Sequence, residues 1–157
     1  MIRLAEPNDL PAILAVYDSA RSFMVRTGNP TQWAGGYPAE ALLLQDIAKK
    51  QLYVAEEGSI YAVFMLCGGP DATYALIENG SWSKDAPYGV LHRVASDGTV
   101  RGVVKQCINF AAQRFAYLRI DTHADNHPMQ NALAREGFTR RGIIYTHDGT
   151  PRLAYDR

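Results

Sequence analysis

The stretch HRVASDGTVRGVVKQC, residues 92–107, begins as a strand, breaks at Asp97-Gly98 and resumes with the apolar period of a helix. A chain that turns from strand into helix and then into the further strand YLRIDTH, residues 117–123, must pack helices against a sheet. The spacing predicts the helix over residues 100–115, which puts Gly102 in its first turn, where alanine is more favourable by about 1 kcal/mol. Two readings of that glycine stand. It packs the helix tightly on the sheet, or it keeps a surface open for an anion, since the first helical amides lack partners in the chain and the helix dipole adds positive charge there. Arg101 and Lys105 add charge to the second reading.

The remaining segments follow the same logic. IRLA, residues 2–5, alternates as a short strand, and Asn8 or Asp9 caps a helix starting near Pro11 with Leu10, Ile13, Leu14 and Tyr17 on one stripe. TGNPTQWAGGYP, residues 27–38, is a loop, and a second helix covers residues 39–50. LYVAEEGSIYAVFML, residues 52–66, is a hairpin turning at Glu57-Gly58. Residues 68–87 are irregular, and YGVLHRVA, residues 88–95, is a strand. A helix starting near Asn126–Pro128 runs to Glu136 and stops at Gly137, and the strands FTRRGIIY and PRLAYDR pair across Asp148-Gly149. The order β-α-α-β-β-β-α-β-α-β-β predicts an α/β fold, a mixed sheet with helices on both faces, in one domain spanning residues 1–157.

Sixteen basic residues balance sixteen acidic ones, so charge points to neither nucleic acid nor an anionic membrane as a partner. Cys67 and Cys107 both fall in apolar-periodic segments and read as buried reduced thiols rather than a disulfide. No secretory leader or apolar span is visible, and a cytoplasmic location is expected.

With these segments in place, the whole chain resembles the GNAT superfamily of acyl-CoA-dependent N-acyltransferases. The opening IRLAEPNDLPAI, the two helices and the hairpin carry the likeness, with two motifs. The family's pyrophosphate loop, Gln/Arg-x-x-Gly-x-Gly/Ala, aligns with Thr99-Val100-Arg101-Gly102-Val103-Val104, where Thr99 replaces the usual Gln/Arg and only the first glycine-type position is kept. The family's Asn, followed eleven residues later by Gly-Phe, aligns with Asn126 and Gly137-Phe138. The resemblance implies a mostly antiparallel sheet splayed between strands four and five, with about four helices. It implies acetyl-CoA as cosubstrate, held by Thr99, Arg101, Gly102, Val103, Val104, Lys105 and Asn126. It also implies that strand-four amides near Val94 and Ala95 bind the thioester carbonyl. The plain alternative for Asn126 is a helix cap.

Direct attack by an amine, the family mechanism, needs a base, a donor to the carbonyl oxygen and an exit for the thiolate. The family's usual acid, a tyrosine four residues before the helix-ending glycine, is Leu133 here. The thiolate then leaves unassisted, or another group serves, with Tyr145 a distant substitute. His92 is the favoured base, because imidazole titrates near neutrality. The competing reading is an inert core histidine sharing its strand face with Val90 and Val94. Asp121 and His123 share one side by alternation, either as a proton relay and ammonium site or as fasteners of the strand end. DTHADNH also gathers Asp121, His123, Asp125 and His127, but no second ligand cluster accompanies them and no metal is expected.

For the acceptor, Gln32, Trp33 and Tyr37 form an aromatic wall, with Tyr74, Glu78 and Trp82 covering the same cleft, or these aromatics close the core beneath loops. The sequence reading is thus an N-acetyltransferase acting on a primary amine of a small molecule or peptide, with a homodimer as a further expectation. The alternative is a non-catalytic acyl-CoA-binding domain of the same fold.

Overall fold

Apolar periods and turn signals become seven strands and four α-helices in the computed structural model, which describes residues 1–157. In chain order these are β1 (Ile2–Leu4), α1 (Leu10–Arg26), α2 (Glu40–Ala48), β2 (Leu52–Glu57), β3 (Ser59–Gly68), β4 (Gly89–Ser96), α3 (Val103–Ala112), β5 (Leu118–Thr122), α4 (His127–Arg135), β6 (Thr139–Tyr145) and β7 (Pro151–Asp156). The seven strands form one sheet in the order β1-β2-β3-β4-β5-β7-β6. Its β1–β2, β2–β3, β5–β7 and β6–β7 pairs are antiparallel, while β4 and β5 are parallel. The parallel pair follows from α3, since parallel neighbours need a crossover connection of that kind. This is the α/β, mixed-sheet class expected from the sequence. The chain divides into two compact units, Met1–Leu66 with Arg93–Val103, and Cys67–His92 with Val104–Arg157.

In the first unit, Ile13, Val16, Tyr17 and Ala20 recur at helical spacing and are the buried face of α1, and Leu43 and Ile47 do the same for α2. Residues 61–66 of β3 are buried without alternation, as expected of a strand covered on both faces. The start of α1 differs from the expected cap. A 3-10 turn, Pro7–Asp9, precedes the helix, and Asp9 makes no side-chain cap bond. Its carboxylate instead takes two hydrogen bonds from Arg3, at 2.7 and 3.0 Å, and one from the Glu6 amide at 2.8 Å. A bidentate guanidinium is a stronger partner than a helix amide.

The core of the second unit gathers Tyr74, Val90, Ile144 and Ala154, with Cys67, Ile77, Trp82 and Tyr88 packed around it. Cys67 is only half-buried, whereas Cys107 is buried and its thiol is pushed up to about 12 by desolvation; neither forms a disulfide. The irregular stretch 68–87 contains a 3-10 turn at Ala72–Tyr74 and bridges β6 through Glu78 and Ile143. Helix α4 ends as a Schellman turn: Gly137 at φ +81° lets the Gly137 and Phe138 amides bond the Ala134 and Leu133 carbonyls, while the Phe138 and Leu133 side chains are both buried.

Helix α3 is shorter than the predicted 100–115, beginning at Val103 and ending at Ala112. Gly102 therefore lies just ahead of the helix, and the cost of a glycine inside a helical turn does not apply to it.

Candidate functional site

His92 lies in β4 just past the end of the β4–β5 ladder, whose register pairs are Gly89 with Leu118 and Val90 with Arg119. Beyond those pairs, the strands meet through side chains. His92 Nε2 is 2.8 Å from Asp71 Oδ2, and its Nδ1 is 3.7 Å from Asp121 Oδ2. The Tyr74 hydroxyl donates to that same Asp121 oxygen at 2.7 Å, and its ring lies 5.8 Å from the imidazole. The His92 side chain keeps 22% of its surface exposed, which makes it neither a sealed core residue nor a free surface one. The expected face shared by Val90, His92 and Val94 is interrupted, because Arg93 sits at φ +53° and ends the period-two alternation.

Electrostatics follow the geometry. Burial pushes the Asp71 carboxyl up, but hydrogen bonds from His92 and Thr73, with the His92 charge, outweigh it and hold the group well below the carboxylate range. Tyr74 moves the other way: burial and the neighbouring Asp121 charge raise its phenol well above the usual value. At 1% exposure, Tyr74 cannot wall a substrate cleft; it supports Asp121 from beneath. Trp82 is likewise engaged below the surface, donating to the Tyr74 carbonyl at 3.0 Å and stacking on the Arg119 guanidinium at 4.3 Å.

Asp71 is the member of this cluster that sequence reasoning missed. It begins Asp71-Ala72-Thr73, in which the Asp oxygen accepts from the Thr amide and hydroxyl. Asp97-Gly98-Thr99 and Asp148-Gly149-Thr150 make the same turn. Three turns of one chemistry look alike in sequence, and only the fold brings one of them to a histidine.

His123 does not join Asp121. Strand β5 ends at Thr122, so alternation does not carry one residue further, and His123 Nδ1 accepts the Asp125 amide at 3.0 Å. Burial, assisted by the Arg152 charge and opposed by Asp125, lowers its titration. Tyr145 is exposed on β6 and donates to Glu78 at 2.9 Å. Leu133, at the position of the family's tyrosine, is completely buried.

At the start of α3, Gly102 has φ +74°, and a Cβ built there meets nothing within 4 Å. The tight-packing reading of this glycine therefore fails; that role belongs to Gly89, where a Cβ would lie 2.4 Å from the Phe115 ring. Gly102 serves a left-handed turn with open space beside it, and Arg101 and Lys105 are exposed on either side. The approach to the ten-residue α3 thus suits a phosphate group. The amide and hydroxyl of Thr99 are held by Asp97 Oδ1, so they serve the turn and not an anion. Val103 is buried and Val104 half-buried, which leaves their backbone as the part able to contact a ligand. Val94 is half-buried and Ala95 buried in β4. Asn126 caps α4, its Oδ1 accepting the Met129 amide at 3.2 Å, and is itself buried.

In the first unit, the loop after α1 places Trp33 edge-on to Tyr17 at 5.6 Å and 6.4 Å from Tyr37. Trp33, Arg21 and Asn29 help line a cavity of about 240 Å³, while Gln32 accepts from the Asn29 amide group at 2.8 Å.

No family model and no curated protein matches this chain. Among solved structures it is similar to an acetyltransferase of the GNAT family from Streptococcus agalactiae, at 29% identity and TM-score 0.90, over 100% of this chain and 94% of that one. A GNAT-family acetyltransferase from Listeria monocytogenes is similar at 20% identity and TM-score 0.69, over 100% and 93%. A ribosomal-protein-alanine N-acetyltransferase from Brucella melitensis shares the fold at 20% identity and TM-score 0.65, over 100% and 98%. The strand order, the parallel β4–β5 pair and the likeness to the Streptococcus agalactiae acetyltransferase together support assignment of the chain to the GNAT superfamily.

Proposed function

We propose that this protein transfers an acetyl group from acetyl-CoA directly to a primary amine, with His92 as the base. The observation that carries the proposal is the imidazole placed between two carboxylates just past the short β4–β5 ladder. An amine arrives as an ammonium at neutral pH, and Asp121 and Asp71 favour a cation beside His92. One ammonium proton passes to His92; the nitrogen bonds to the acetyl carbonyl carbon and the C–S bond breaks. The second proton lost from nitrogen ends on the sulfur, giving the amide and free coenzyme A thiol.

For the donor, Gly102, the Val103 and Val104 amides, Arg101 and Lys105 are the groups proposed for its diphosphate, and Asn126 is proposed as a further contact to coenzyme A. Acetyl-CoA supplies the activated acyl group and nothing more. Trp33, Tyr37 and Gln32 are the residues proposed to recognise the acceptor. The chain acts without a metal and in the cytoplasm. No helix is long and apolar enough to cross a membrane.

The test is thiol release from acetyl-CoA across a panel of small amines and peptide amino termini, for the native chain and His92→Gln. The glutamine amide can still donate to Asp71 but cannot take a proton, and kcat should fall by roughly 10²–10⁴-fold near neutrality. Tight acetyl-CoA binding with no turnover on any amine would favour a non-catalytic binding domain.

A further inference from the structure

The structure assigns Asp71 as the positioning residue of the site: it fixes which nitrogen of His92 carries the proton and leaves Nδ1 free to accept one from the substrate. This rests on the reading of His92 as the base. Asp71 is ionised and carries no proton of its own, so at 2.8 Å the hydrogen between it and the imidazole must belong to Nε2. A neutral His92 is then the Nε2–H tautomer, and its lone pair is on Nδ1.

That lone pair faces Asp121 Oδ2 at 3.7 Å, and this oxygen already accepts the Tyr74 hydroxyl. Two acceptors face each other with no hydrogen of their own to share. What satisfies both is an N–H donor entering from outside, and an ammonium group is such a donor. Once Nδ1 takes the proton, the imidazolium has a carboxylate at each nitrogen. The titratable groups that face His92 are Asp71 from the stretch after β3, Tyr74 from the 3-10 turn and Asp121 from β5.

Asp71 is itself held from both sides. Its Oδ1 accepts from the Thr73 amide at 2.9 Å and hydroxyl at 2.6 Å, and its own amide donates to the Tyr88 hydroxyl at 2.9 Å. These bonds leave Oδ2 to the imidazole and set its direction. Orientation of a catalytic histidine by a carboxylate on its far nitrogen is a general device of acid–base sites.

The test combines nitrogen-15 NMR of the histidines with kcat, on the native chain and Asp71→Asn. In the native chain at pH 8, His92 should be the Nε2–H tautomer. In Asp71→Asn, whose amide can donate to Nε2, that preference should be lost and kcat should fall by roughly 10²-fold. Asp71→Glu, which restores the carboxylate, should restore the tautomer. A folded Asp71→Asn with an unmoved tautomer would overturn the assignment. If that variant does not fold, the native spectrum decides: an Nδ1–H tautomer, or an Nε2–H proton that exchanges freely with water, would overturn it, and an Nε2–H proton protected from exchange by Asp71 would uphold it. The spectrum needs no turnover, so an inactive protein with the Nε2–H tautomer would sink the acetyltransferase reading while leaving the hold of Asp71 on the imidazole tautomer standing.

Discussion

Arg93 and Asp46, 47 residues apart in sequence, are joined by a guanidinium–carboxylate contact of 2.5 Å, with 11% and 5% of their side chains exposed. Arg93 is also a left-handed residue inside β4, and its carbonyl accepts the Tyr17 hydroxyl at 2.8 Å. Burial pushes the guanidinium's titration down, but Tyr37 and Asp46 outweigh it and raise it overall. The irregularity in β4 is thus tied to α1 through its backbone and to α2 through its side chain.

Removing one member of such a pair leaves the other charge buried without its partner. Asp46→Ala should therefore destabilise the protein by about 3–5 kcal/mol, measured by urea unfolding. A loss below 1 kcal/mol would mean that water solvates Arg93 and that the pair is not structural.

Gly102 separates backbone strain from ligand exclusion. Gly102→Ala adds a methyl in open space at φ +74°, so only the left-handed backbone is penalised, by about 1–2 kcal/mol. Acetyl-CoA affinity should fall less in that variant than with a charged side chain there, because a methyl adds bulk without charge. Gly102→Glu adds a negative charge at the same place and should weaken acetyl-CoA at least roughly tenfold, read by calorimetry. Equal affinity in Gly102→Glu and the native chain would remove the diphosphate from this turn.

His123 should give the protein a pH-dependent stability. Its titration is lowered in the folded state, so folding favours the neutral ring. The contribution is fully present above the unfolded value of about 6.5 and is lost as pH falls through the lower folded value. His123→Asn offers an amide oxygen near the position of Nδ1 for the Asp125 amide, yet does not titrate. Its melting temperature should therefore decline less than that of the native chain between pH 8 and pH 5. Parallel declines would show that other groups dominate this range.

The fold was largely legible because its signals are local. The period that placed Ile13 and Tyr17 inward, the Glu57-Gly58 turn and the Gly137 stop each act within a few residues, although Leu10 and Leu14 of the expected stripe are only half-buried. The beginning of α1 falls where expected, with Asp9 at the N-cap position, but its side chain makes no cap bond because Arg3, six residues away, takes it. The site was legible only in part. His92 and Asp121 lie in strands that a sequence can place. Asp71 lies in a turn indistinguishable from two others, and its meeting with His92 depends on how residues 67–92 fold back on themselves. Tyr74 and Trp82 read as a cleft wall because large aromatics amid glycines suit either a mouth or a floor; burial of Tyr74 decides for the floor.

The complete burial of Leu133 bears on which acyl donors the chain can use. In the proposed transfer a hydrocarbon side chain there has no proton to give a departing sulfur, so turnover should follow the intrinsic stability of the released anion. Thioesters of weakly basic thiols should then outpace those of strongly basic ones even when their acyl groups are identical. Selectivity among donors would thus be written partly in the group that is discarded.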